Sequence, residues 1–105
     1  NNCIPGFFVS IRNVRFKSQG VKHAISNPEE FWGIAGKMLP SLPEGIIFHS
    51  SFPTEDKTIA FCLWEADSLE VFKKYLEGEV GHVSHNDYYL INEKAAFGLP
   101  AKVLP

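Results

Sequence analysis

The chain of 105 residues has little of what marks small secreted domains or membrane proteins. Its only two cysteines are Cys3 and Cys62, too few for the disulfide framework of a small secreted domain. We expect both to be reduced thiols in a cytoplasmic protein. No apolar run approaches the ~18 residues of a membrane-spanning helix, and no signal-peptide pattern is visible.

An excess of charge of either sign is also missing. Lysine and arginine total 10 against 12 aspartates and glutamates, which leaves a net charge of −2. The basic residues form no block, so we expect neither nucleic acid nor an anionic membrane as a partner. The glycines form neither a phosphate-binding loop nor a dinucleotide-binding fingerprint, and we predict no cofactor.

A strand followed directly by a helix is the clearest pattern that the chain does contain. In Thr58–Ala66 the side chains on both sides of an extended chain are apolar until Glu65. This pattern predicts a strand that is buried on both faces. Asp67 then offers a helix N-cap, and the apolar spacing that follows predicts an amphipathic helix over Asp67–Glu77. Gly78 is expected to end this helix.

The rest of the chain predicts three more strands and one more helix. Asn27 and Pro28 favour the start of a first helix, which Pro40 ends. The polar stretch Arg15–Ile25 is predicted to be a connection. The three strands are predicted at Phe7–Val14, Ile46–Ser51 and Asn86–Asn92.

The resulting order, β-α-β-β-α-β, predicts an α+β domain of the ferredoxin-like class. Such a domain has a four-stranded antiparallel sheet with both helices on one face. It spans residues 1–105 as one domain, with a core at 6–92 and an extended C-terminal tail at 93–105.

Strand alternation then divides the side chains between two faces of the sheet. The helix side is assigned the more uniformly apolar set: Phe7, Val9, Ile11, Ile46, Phe48, Ile59, Phe61 and Leu63. The opposite side, called the open face below, is assigned Phe8, Ser10, Arg12, Ile47, His49, Ala60, Cys62, Trp64 and, of the two adjacent tyrosines, Tyr89 rather than Tyr88.

An open face of this composition is too apolar to remain in water, so we expect a second subunit or a ligand to cover it. At Phe61–Glu77, FCLWEADSLEVFKKYLE, and at Asn86–Gly98, NDYYLINEKAAFG, the chain resembles the dimeric α/β-barrel superfamily. The resemblance implies a homodimer in which two ferredoxin-like subunits pack their open faces into one barrel. It also implies a range of activities: cofactor-free monooxygenases, polyketide cyclase-like enzymes and haem-degrading enzymes.

The haem-degrading group combines an Asn on the first strand, a Trp on the third strand and a His on the second helix. Asn13 on the predicted first strand and Trp64 on the predicted third strand correspond to the first two of these residues. The predicted second helix contains no histidine, the nearest being His82, and Asn13 falls on the helix side by our assignment. The chain departs from the haem-degrading pattern on both counts.

The polar groups of the open face form the one constellation suited to chemistry. His49 can act as an acid or a base, Arg12 can hold an anionic or carbonyl group, and Tyr89 can donate a hydrogen bond. We predict these three as candidate catalytic residues. The structural alternative makes His49 a packed interface histidine and Arg12 an inter-subunit partner. The predicted ligand-binding residues are Phe8, Ser10, Cys62 and Trp64.

Two functions remain open from the sequence, and fold does not decide between them. In the first, a homodimer binds a small, largely apolar or aromatic ligand between sheet and partner, with cofactor-free oxidation or acid–base rearrangement as the chemistry. In the second, the chain is a non-catalytic binding or assembly domain whose open face is only a dimer interface. The sequence does not decide whether the protein is an enzyme.

Two further groups are assigned structural roles. His82 and His85, with Glu79 and Asp87 nearby, have a spacing that metal ligands can have, but no third ligand is fixed beside them, and we predict no metal site. Cys62 lies mid-strand among apolar residues, where burial raises the pKa of a thiol, so we do not expect a nucleophile.

Overall fold

A computed structural model of the chain describes residues 11–13 and 15–103, with side chains from 15 to 102. Nine elements follow one another in the described residues, and three of them, the first strand, the last strand and a 3₁₀ turn, are only three residues long. In chain order they are β1 (Ile11–Asn13), β2 (Lys17–Ile25), α1 (Pro28–Met38), a 3₁₀ turn (Leu39–Ser41), β3 (Ile46–Pro53), β4 (Ile59–Ala66), α2 (Leu69–Val80), β5 (Ser84–Leu90) and β6 (Ala101–Val103).

Four of the strands form one antiparallel sheet in the order β3-β4-β2-β5. Both helices pack on the same face of this sheet, because Met38 of α1 and Phe72 of α2 share a core with Val21 and Trp64. The α+β class, the two helices and the four-stranded antiparallel sheet are therefore confirmed. The arrangement is compatible with a ferredoxin-like fold. Within the described residues, neither helix is long and apolar enough to cross a membrane.

The first strand of this sheet is β2, in the stretch predicted to be a connection, and that prediction was wrong. Every second side chain of β2 points inward, as in a strand with one buried face. These inward side chains include the polar Gln19 and His23, both 2% exposed, beside Val21 and Ile25. Two buried polar side chains hid the period of two that marks a strand. Most of the predicted strand Phe7–Val14 lies outside the described residues. Its Ile11–Asn13 part pairs in parallel with β6 in a separate two-stranded sheet.

The two faces of β4 are the reverse of the prediction. Trp64 is only 2% exposed and packs edge-on against Phe48 and obliquely against Phe72 of α2, with ring centroids 4.9 and 5.3 Å apart. Ala60 and Cys62 share this helix side, whereas Phe61 lies on the open face and is 50% exposed. Because both sides of β4 are apolar, periodicity did not select a face. The indole is the larger group to bury under the helices.

The first helix begins as predicted and the second does not. The Asn27 side chain accepts a hydrogen bond from the Glu30 backbone N–H and caps α1. In α2 the cap is Ser68, whose Oγ lies 3.3 Å from the Val71 nitrogen, rather than Asp67. The helix also continues past Gly78 to Val80, because a glycine weakens a helix without necessarily ending it.

The chain after β5 returns along the start of β2. The Ser18 backbone N–H donates to the Glu93 carboxylate at 2.8 Å, and the Ile91 N–H donates to the Ser18 carbonyl. Lys102 then bonds the Phe16 carbonyl and forms an ion pair with Glu93 at 3.0 Å. These contacts fasten the chain after β5 to the start of β2, and the described part of the tail reaches β6.

Candidate functional site

A narrow cavity of about 40 Å³ lies between the sheet and the helices. Its walls are mostly apolar and come from α1, α2 and the inward side of the sheet. Most of its partly exposed lining residues belong to α1, to the 3₁₀ turn after it and to the edge strand β3: Trp32, Ala35, Leu39, Phe48 and Ser51. The cavity therefore approaches solvent on that side. Its polar groups are those of His23, Ser51, Cys62 and the indole of Trp64.

His23 is the one titratable nitrogen base in the lining. It is positioned by β2, and its ring lies 5.1 Å from that of Phe31 on α1. Its Nδ1 lies 2.6 Å from Oδ1 of Asn86 on β5, and Nε2 has no hydrogen-bond partner in the part of the chain that the structure describes. Burial lowers the pKa of His23 against the opposing effects of the Asn86 hydrogen bond and the Glu77 charge, so the neutral imidazole is favoured.

A hydrogen-bond network continues outward from His23 to the surface. Asn86 Nδ2 donates to Glu77 Oε2 at 2.9 Å, and the Tyr88 hydroxyl donates to the same oxygen at 2.6 Å. Although partial burial acts in the opposite direction, the hydrogen bonds from Tyr88 and Asn86 keep the pKa of Glu77 below its ordinary value. Burial and the Glu77 hydrogen bond raise the pKa of Tyr88. Glu77 is therefore an ionised acceptor at neutral pH.

Cys62 and Trp64 reach the cavity from β4. The Cys62 thiol donates to Ser51 Oγ at 3.4 Å, and burial raises its pKa, as the sequence predicted. The Trp64 Nε1–H is buried and has no acceptor among the residues that the structure describes. A buried N–H without an acceptor costs about 1–3 kcal/mol. Both residues were predicted to bind a ligand on the open face, whereas they lie on the opposite side of the sheet.

The structure does not bring the predicted catalytic residues His49 and Tyr89 close to each other. His49 forms a β-bulge between Phe48 and Ser50, and its Nε2 lies 2.8 Å from Glu65 Oε2, with the two side chains only 3% and 0% exposed. Tyr89 lies on the open face at the other edge of the sheet, as its register with Gly20 requires. Three strand spacings, about 14 Å, separate the two strands. The remaining predicted residues, Phe8, Ser10 and the side chain of Arg12, lie outside the described part of the chain.

His82, just before β5, and His85, near the start of β5, bind different carboxylates and do not form a common site. His82 bonds the Glu30 carboxylate at 3.0 Å, and His85 bonds Asp87 at 3.2 Å, both in exposed positions. Within residues 15–102, no group of three or more potential ligands could hold a metal ion.

Sequence reasoning missed His23, Asn86 and Glu77 as members of one site. A signal for His23 was present, since it has the same parity as Val21 and Ile25 in a potential strand. No signal joined the three, because they come from β2, β5 and α2 and meet only when the sheet forms.

Comparison with known proteins adds no relative to this description. No family model matches the chain, and neither the curated proteins nor the solved structures contain a significant match.

Proposed function

We propose that this chain is a ferredoxin-like subunit that binds a small, largely apolar molecule in the cavity between sheet and helices. The observation that carries the proposal is an apolar cavity lined by Trp64, whose buried Nε1–H has no acceptor among the described residues, and by His23, whose Nε2 makes no hydrogen bond to them. Buried polar atoms of native proteins are nearly always hydrogen-bonded, so the Trp64 N–H without an acceptor in the lining of a cavity favours an occupant. If the protein acts on its ligand, His23 is the acid–base group.

The size of the cavity limits the ligand and its entry. A volume of about 40 Å³ exceeds the space that one water needs but is far below the usual size of drug-binding pockets. A ring-sized ligand therefore requires outward movement of the α1 side chains. We expect this movement to involve Trp32. Its Nε1 donates to the Lys57 carbonyl at 3.2 Å and so connects α1 to the β3–β4 hairpin.

Benzene and furan are suitable first probes, because apolar cavities accept such molecules. The two tryptophans of the chain, Trp32 and Trp64, both line the cavity, so binding should change the intrinsic fluorescence. We expect saturable changes at millimolar probe concentrations, together with NMR shifts at the lining residues. A wild-type protein that shows neither would contradict the proposal.

The substitution Ala35→Leu is expected to fill the cavity from α1 and to weaken probe binding ~10-fold or more. Leucine is a good helix former, so α1 should persist, which circular dichroism checks. Ala95→Leu adds the same atoms at an exposed position away from the cavity and is the matched control. Equal affinity in the two variants would argue against this binding site.

A second candidate function is homodimeric assembly through the open face, as in a dimeric α/β barrel. Phe52, Phe61 and Tyr89 lie on this face with 65%, 50% and 55% of their surfaces exposed. Lys22 and Asp87 are register partners on the same face, so two copies related by a two-fold axis can each offer a cation to the other's anion. This candidate is compatible with ligand binding on the helix side.

A further inference from the structure

The orientation of the Asn86 amide follows from the charge of Glu77. The ionised Glu77 carboxylate carries no proton and can only accept, so the Asn86 atom 2.9 Å away must be the NH₂ group. The amide oxygen then faces the other way, where it lies 2.7 Å from the Ser84 hydroxyl and 2.6 Å from His23 Nδ1. The opposite orientation would place two acceptor oxygens in contact.

The orientation of Asn86 in turn decides which nitrogen of His23 carries the proton. An amide oxygen only accepts, so the contact of 2.6 Å requires a proton on Nδ1. In a neutral imidazole the other nitrogen, Nε2, then has a lone pair and no hydrogen. Among the described residues nothing donates to that lone pair.

We propose that Glu77 and Asn86 are positioning residues that hold His23 as a hydrogen-bond acceptor, so that the cavity selects ligands with an N–H or O–H donor over isosteric ligands that only accept. This inference rests on the proposed ligand cavity and names the class of molecule it takes: a small, neutral, mainly apolar compound with one donor. The charge of Glu77, on the surface of α2, thereby determines the selectivity of a site in the interior.

The tautomer is measured first, without a ligand, on the uniformly ¹⁵N-labelled full chain. Long-range ¹H–¹⁵N correlation spectra at neutral pH distinguish a protonated ring nitrogen from one with a lone pair. We expect Nδ1–H alone in the wild type. In Glu77→Gln the Asn86 amide is free to turn over, because glutamine both donates and accepts, and the Nε2–H form should become populated.

Two variants serve as controls for this measurement. Glu79→Gln makes the same charge change two residues along α2, without contact to Asn86, and should keep Nδ1–H. Tyr88→Phe removes the other hydrogen bond to Glu77 and should also keep it. A wild-type His23 protonated at Nε2, or a Glu77→Gln spectrum identical to that of Glu79→Gln, would overturn the inference. The wild-type result decides even where a variant does not fold.

Selectivity is measured second, with pyrrole and furan as probes of nearly equal size, of which only pyrrole has an N–H donor. We expect pyrrole to bind the wild type ~5-fold more tightly than furan, the difference that one neutral hydrogen bond makes. The ratio should fall towards one in Glu77→Gln and stay unchanged in Glu79→Gln. Equal binding of the two probes to a wild type with the Nδ1–H tautomer would overturn the selectivity.

The two readouts separate this inference from the proposed function. If neither probe binds while the tautomer responds to Glu77 as expected, the ligand cavity is wrong and only the positioning of His23 stands. If both probes bind equally and the tautomer is Nε2–H, the cavity stands and the positioning role is wrong.

Discussion

His23 combines burial in the cavity lining with a hydrogen bond that engages only one of its two ring nitrogens. Only 2% of the residue is exposed, and its ring is enclosed by Phe31 and by the Asn86 amide. Desolvation disfavours the imidazolium form, which is why the pKa of His23 is lowered although Glu77 is near. A neutral imidazole in an apolar cavity is a suitable acceptor or base at neutral pH.

This lowered pKa predicts a loss of stability in mild acid. Between the folded-state pKa of His23 and its ordinary value of about 6.5, the unfolded chain binds a proton that the folded chain does not. The free energy of unfolding should therefore decrease as the pH falls below about 6.5 and reach a plateau once the folded form also protonates. Urea unfolding between pH 7.5 and pH 5 measures this decrease.

The matched variants isolate the contribution of His23 from that of the other titrating groups. His23→Gln should show a smaller decrease in unfolding free energy over the same pH range, whatever its stability at pH 7.5. His85→Gln removes a histidine whose side chain is 78% exposed and should follow the wild type. A His23→Gln curve parallel to the wild-type curve would contradict a lowered pKa.

Residue patterns in the sequence were informative where one side chain decides a feature by itself. Asn27 caps α1 as expected, and the thiol pKa of Cys62 is raised as expected. Tyr89 also lies on the open face, whereas Tyr88 packs against Phe72 on the other side. Roles that need a second, distant residue, such as that of Asn86 beside His23, were not accessible in this way.

Among the elements, α2 shows how a local pattern can predict a helix and mistake its first residue. Asp67 and Ser68 are both good N-cap residues, and the sequence offers them side by side. The backbone N–H of Asp67 bonds the Gly45 carbonyl at 3.1 Å, which fixes Asp67 at the end of β4. The next residue is then left to cap the helix.

Ser68→Ala should therefore lower the free energy of unfolding by about 1 kcal/mol, the usual cost of losing an N-cap. Asp67→Ala should cost less, about 0.5 kcal/mol, because it removes only the attraction between a carboxylate and the helix N-terminus. Chemical denaturation of both variants against the wild type measures the difference. The reverse order of the two costs would show that Asp67 is the cap in solution.

The strand β2 was missed because its inward side chains are not all apolar. Gln19 lies opposite Trp64, and His23 lies opposite Ala60, so tertiary contacts rather than hydrophobic pattern keep both inside. Violations of the local rules at buried polar residues are typical of functional sites. The element that sequence reasoning could not identify is the one that carries the candidate base.

At the scale of the whole molecule, an apolar open face opposite a helix-covered face predicts a dimer. A shallow depression of about 360 Å³ lies on this face between Phe61 and Tyr89, beside the Ile91 side chain that packs over Gly20. A second copy turned by a two-fold axis can insert its own aromatic side chains there. We expect light scattering to report a dimer at micromolar concentration.

Phe61→Glu should convert that dimer to a monomer, because it places a carboxylate in the centre of the apolar surface without disturbing the helix-side core. Val71→Glu introduces the same charge at a position of α2 that is 58% exposed, away from the open face, and should leave the mass unchanged. A monomeric wild type, or a dimer that Phe61→Glu does not affect, would contradict assembly through this face.

The sequence by itself determined the class of the domain: two helices, the hairpin strands between them and an α+β arrangement, since these depend on local periodicity and capping. Only the tertiary structure decided that β2 belongs to the sheet and which side of β4 faces the helices. The physical reason is that an apolar pattern predicts which side chains are buried on folding, but not which other element buries them. Trp64 is buried by Phe72 and Phe48, which come from other elements, and His23 is buried with Asn86 and Phe31 for the same reason.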